Sequence, residues 1–250
     1  MLPLRDRLPA RRVPIVNYLF IALNVLVFIG EARGDVGREW ALVPAALVTD
    51  PAHNLVTVFT SMFMHGGWAH IAGNMLFLWI FGDNVEDALG HARYLAFYLL
   101  SGVLAAFAQV VVAPFSETAM LGASGAIAGV LAAYGSLYPR SPVTVLNPIP
   151  ILWIFFGLFF ELPAWFVILE FFVVNLLSAL GTSAAALGGG GVAFFAHLGG
   201  FVAGLFLVRV LLPGRPRRDH DRWDGFRARP RRQAPPGYYY PTPTHRPWDR

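Results

Sequence analysis

The chain has 250 residues, of which 56% are hydrophobic and 14% charged, against about 45–50% and about 25% in soluble domains. With a mean hydropathy of +0.54, this composition excludes an ordinary soluble globular domain. The net charge of +4 is carried as +3 on residues 1–12, −5 on 13–212 and +6 on 213–250, every cation being arginine. The cations therefore flank an apolar middle instead of forming the basic folded face that a nucleic-acid partner requires, and no nucleic-acid partner is expected. Cysteine is absent, which removes disulfides, thiolate metal sites and a cysteine nucleophile.

A membrane-spanning helix needs about 20 mostly apolar residues, and six such runs follow one another. The first covers about Val13–Ile29 behind Arg5, Arg7, Arg11 and Arg12, with no small-residue cleavage site after it, and reads as an anchor. The second covers about Thr57–Phe81, the third Tyr94–Ala113 and the fourth about Leu121–Tyr138. The fifth covers Ala164–Leu180 and the sixth Val192–Leu212. Between the first two, Trp40–Val48 reads as an amphipathic segment lying in the membrane interface. Val145–Phe160 is apolar enough for a further span but is broken by Pro148 and Pro150. Arginine-rich ends both belong on the cytoplasmic side, which demands an even number of crossings. That stretch is therefore read as an interfacial or re-entrant lead into the fifth span.

The expected fold class is all-α: a polytopic membrane helix bundle of six transmembrane helices over residues 13–212. A basic cytoplasmic segment, 1–12, precedes it. A disordered Arg/Pro/Tyr-rich cytoplasmic tail, 213–250, follows it. The arginine-only cation set points to a bacterial plasma membrane.

Polar side chains are costly in hydrocarbon, so each one in a span is a functional candidate. His70 and Asn74 are four apart and share one face of the second helix. Ser124 falls near the start of the fourth span and His197 about one and a half turns into the sixth. All three spans enter from the outer side, so these four residues occupy one shallow layer. Gly125 and Gly129 follow the serine, and Gly200 and Gly204 follow the histidine, two small-xxx-small faces that allow close backbone approach. Packing on those glycines would bring the hydroxyl within the ~2.6–3.2 Å of an imidazole that proton transfer needs. His65, beside Gly66 and Gly67, reads as structural. No His-Glu-x-x-His run occurs, so no metal site is expected. A proton or ion relay through Glu170, Asn175, His70 and His197 is the transporter alternative.

Three motifs in this order, His70-Ile-Ala-Gly-Asn74, Gly122-Ala-Ser124-Gly125 and Ala196-His197-Leu-Gly-Gly200, together with Phe81-Gly-Asp-Asn-Val-Glu86 after the second span, make the chain resemble the rhomboid family of intramembrane serine proteases. The resemblance extends over about residues 13–210 and is greatest to bacterial six-span members. It implies a serine endopeptidase without cofactor whose partners are transmembrane protein substrates and the lipid bilayer. It also implies Ser124 as nucleophile and His197 as general base, with His70, Asn74 and the Ser124 backbone N–H forming the oxyanion hole. Some members carry a tyrosine one turn after the serine that stacks on the histidine; here that position is Ala128. Many have Trp-Phe and then Gln in the fifth span, where this chain has Phe171, Phe172 and Asn175 beside an unexpected Glu170. Relatives that only bind transmembrane clients usually lack the serine or the histidine, and this chain keeps both. Gly188–Gly191 would serve as a mobile outer lid.

Overall fold

The computed structural model describes residues 2–147, 153, 157–183 and 194–212. The tail from 213 and Gly188–Gly191 lie outside the described residues. Strand β1 (Leu2–Asp6) precedes helix α1 (Ile15–Arg33), which follows Pro14 and stops at Gly34. Gly34 has φ +81°, the left-handed conformation that glycine adopts without steric cost, and its N–H closes on the Glu31 carbonyl. No side chain of its own caps the start of α1. Glu86 does so from another helix, accepting from the N–H groups of Val16 (3.0 Å) and Asn17 (2.7 Å). Its carboxylate is buried, and the positive end of α1 together with His91 offsets the lost hydration.

The expected second span from Thr57 divides in two. A short helix at Thr57–Thr60 and a 3-10 turn at Ser61–Phe63 come first, and helix α2 (Trp68–Leu89) begins only after Gly66-Gly67. Trp40–Val48 is also more than an interfacial segment. Leu42 pairs with Met120 in an antiparallel bridge, and Leu42, Leu47 and Val58 pack on Ala106 and Val110 of helix α3 (His91–Val112).

Helix α4 (Ser124–Leu137) starts three residues later than the expected span and is buried almost all round. After it, strand β2 (Pro142–Leu146) pairs antiparallel with β1 on one side and with strand β3 (Phe159–Pro163) on the other. The sequence Pro-Val-Thr-Val-Leu explains β2: its β-branched residues suit a pleated surface, and Val143 and Val145 point into the core. The two ends of Val145–Phe160, expected as an interfacial or re-entrant lead into the fifth span, are thus strands; 148–152 and 154–156 lie outside the described residues. β3 runs into helix α5 (Ala164–Ser183), and helix α6 (Phe194–Leu211) ends the described bundle.

By length and composition α1, α3 and α6 are each able to cross a membrane, and α4 and residues 164–174 of α5 are shorter apolar helices. Large apolar side chains face outward, among them Val111 at 77% and Phe206 at 64% exposure. Meanwhile Asn17, Asn24 and Ser101 are wholly buried. This inversion is what a bilayer dictates, since water drives apolar groups inward and lipid does not. The molecule is a multi-pass membrane helix bundle carrying a small three-stranded sheet at the end where α1 begins.

Candidate active site

Ser124 is the first residue of α4. Its N–H is therefore one of the donors without a partner inside the helix, at the end where the helix dipole favours negative charge. Its Oγ lies 2.7 Å from Nε2 of His197 on α6. Glycines hold the two helices at this distance. A Cβ on Gly200 would collide with the Gly125 carbonyl, and one on Gly204 with the Gly129 backbone. The small-xxx-small faces expected on the two spans thus meet each other.

His70 stands on the other side of the serine. A Cβ on Gly122, whose φ is +129°, would come within 2.9 Å of His70 Cε1 and Nε2 and 3.6 Å of Ser124 Oγ. Glycine is required there both by the backbone angle and by the approaching ring. His70 Nδ1 accepts a hydrogen bond from the Gly66 N–H at 3.3 Å. In a neutral imidazole the proton then resides on Nε2, which makes the nitrogen on the Gly122 side a donor.

Asn74, one turn further along α2, is buried, and its Nδ2 lies 3.0 Å from Nε2 of His65. His65 also donates its backbone N–H to Glu31 and sets its ring against Phe28 and His70. The structure brings Ser124, His197 and His70 together. It leaves Asn74 on the same helix face as His70, with its amide engaged by His65.

A small cavity opens beside Ser124, lined by Ser61, Met62, Gly102, Ala105, Met120 and their neighbours. Gln109 of α3 accepts from the Ala196 N–H at the start of α6 (3.3 Å). Gln109 and Ser61 are polar residues within apolar runs, the signal that would have marked them. Around His197 the aromatic neighbour is Phe171 of α5, with ring centroids 6.2 Å apart. Glu170, next to it, is half-buried, and the side chain of Asn175 lies outside the described residues. Among the described residues no group of three or more His, Asp or Glu is placed to hold a metal ion.

A bundle of apolar helices with a serine hydroxyl and an imidazole hydrogen-bonded in its interior defines a polytopic membrane protein with a candidate hydrolytic site. The rhomboid domain family matches residues 52–214, well over half of the sequence, and the chain belongs to that family. It is 35% identical over 127 residues to the rhomboid protease GluP of Bacillus subtilis, a match covering 48% of this chain and 24% of that protein. Over 132 residues it is 33% identical to the human mitochondrial presenilin-associated rhomboid-like protein, covering 50% of this chain and 34% of that one. Over 197 residues it is 26% identical to the mitochondrial rhomboid protein 1 of Saccharomyces cerevisiae, covering 75% of this chain and 51% of that one. The matches thus span about half or less of these relatives' length.

Proposed function

We propose that the chain is an intramembrane serine endopeptidase that cleaves transmembrane segments of other membrane proteins with a Ser124–His197 dyad. The observation that carries this reading is the 2.7 Å contact between Ser124 Oγ and His197 Nε2. In the proposed reaction His197 Nε2 takes the hydroxyl proton while Oγ bonds to the scissile carbonyl carbon. The resulting oxyanion accepts hydrogen bonds from the Ser124 N–H, from His70 Nε2–H and from the Asn74 amide. Collapse of this intermediate breaks the C–N bond, and His197 returns the proton to the leaving amine. His197 then deprotonates a water that attacks the acyl-serine, and expulsion of Ser124 regenerates the hydroxyl. No cofactor takes part.

A regular helix hides its carbonyls, so a substrate must unwind before Oγ can reach one, and helix-weak residues such as Gly and Pro would help. The small side chains lining the cavity beside Ser124 favour a small residue at the cleavage position. The basic ends support a topology with both termini on the cytoplasmic side, and the arginine-only cation set supports a bacterial plasma membrane.

Purified full-length protein in detergent should react with a fluorophosphonate probe and cleave a transmembrane substrate. Ser124→Ala and His197→Ala should do neither. Retained binding of transmembrane clients with no labelling of a folded wild type would replace this reading by that of a non-catalytic rhomboid.

A further inference from the structure

His197 is 6% exposed, and among the described residues its ring makes one hydrogen bond, through Nε2 to Ser124. Its Nδ1 is buried and has no hydrogen-bond partner among the described residues. One hydrogen bond fixes an atom and leaves the plane of the ring free, and in many hydrolases a carboxylate at Nδ1 supplies the missing restraint. Among the described residues, packing is what supplies it. On the α4 side the residue one turn after Ser124 is Ala128, fully buried and offering only a methyl group. The aromatic face comes from α5. The Phe171 ring lies 6.2 Å from the imidazole centroid, with the planes at 50°, within the range of favourable ring pairs. Phe171 is in turn seated against Phe77 of α2 at 5.1 Å. The adjoining Phe172 packs on Phe201 of α6 at 4.2 Å, one turn beyond His197.

We propose that Phe171 is a positioning residue that holds the His197 imidazole in the plane required for proton exchange with Ser124. The docking of α5 and the competence of the base are then one event. This inference rests on the reading of Ser124 and His197 as nucleophile and base.

The test compares Phe171→Leu, which keeps an apolar side chain and removes the ring, with Phe171→Tyr, which keeps the ring. Two readouts are taken on the full chain in detergent. One is the rate at which a small fluorophosphonate labels Ser124; the other is kcat and KM for a transmembrane substrate. The leucine variant should lose about tenfold or more in labelling rate and in kcat, because misalignment forfeits part of the general-base contribution. Its KM should stay within about twofold and its Tm close to wild type. The tyrosine variant should retain both rates. If the leucine variant does not fold, Phe171→Met carries the same expectation.

Unchanged or faster labelling with an altered KM would mean that Phe171 only controls substrate access, and would overturn the proposal. Equal losses in the leucine and tyrosine variants would overturn it as well. A Ser124→Ala protein that still cleaves, or a wild type that is never labelled, would instead sink the underlying reading and this inference with it.

Discussion

Asn74 has two amide hydrogens, and one of them is directed at His65. The hydrogen bond fixes the side chain and does not use the second hydrogen, as the oxyanion role proposed for Asn74 requires. Asn74→Ala should therefore lower kcat by about 10²–10³ with little change in KM, measured on a transmembrane substrate. His70, Asn74, Ser124 and His197 were legible in the sequence because each is a polar residue inside an apolar run. The His65–Asn74 bond was not. It links positions nine apart across the Gly66-Gly67 break, and a reading that continues one helix from Thr57 gives those two residues the wrong angular relation. The tautomer of His70 was equally out of reach, since a backbone N–H in that same break decides it.

At the scale of elements, the contact between α4 and α6 has the least tolerance. Gly200 and Gly204 touch the backbone of Gly125 and Gly129, so any side chain there forces the helices apart. Gly204→Leu should lower the Tm and abolish fluorophosphonate labelling, because a side chain there would push the α4 and α6 backbones apart and stretch the 2.7 Å Ser124–His197 hydrogen bond. Gly73, whose added Cβ meets nothing within 4 Å, is the matched control: Gly73→Ala should leave both labelling and Tm near wild type. The glycine spacing announced this contact in advance. The sheet gave no such notice. β1 is a five-residue strand that contains Arg5 and is followed by Arg7, and its partner β2 lies some 140 residues away in sequence, so no local pattern reports the pairing. The strands at the two ends of Val145–Phe160 went unforeseen for a related reason: apolar strands buried in a sheet and other short apolar runs look alike over such lengths.

Taken whole, the molecule has its candidate chemistry at one end of the helices and a polar knot at the other. Asp6 of β1 accepts hydrogen bonds from Tyr134 of α4 (2.6 Å) and Asn84 of α2 (2.9 Å), and Tyr134 also reaches Ser141 (3.1 Å). Arg7 pairs with Glu161 of β3. The N-terminal strand is thereby tied to the far ends of the helices that carry His70, Asn74 and Ser124. Burial, reinforced by the neighbouring Asp83, pushes the Asp6 carboxyl up from 3.8 to about 7, although the bond from Tyr134 works in the opposite direction.

A carboxyl whose pKa is raised on docking binds its proton more tightly when docked. The strand is therefore held best at low pH, and its hold weakens as pH rises from about 4 through about 7. Hydrogen exchange of residues 2–7, corrected for intrinsic rates, should show protection falling between pH 5.5 and 8.5 in wild type. In Asp6→Asn it should stay level. A wild type with pH-independent protection would show that Asp6 does not couple the strand to protonation.

The 73 residues separating Ser124 from His197 also bear on how the chain is born. Synthesis runs from the amino terminus, so the serine, with its helix and the histidine of α2, is complete before α6 exists. Until α6 is inserted and its glycines slide against α4, the hydroxyl lacks the His197 imidazole to which it hydrogen-bonds. If Ser124 and His197 act as proposed, a nascent or truncated copy would be inert toward the membrane proteins around it, and the capacity for cleavage would arrive only with α6.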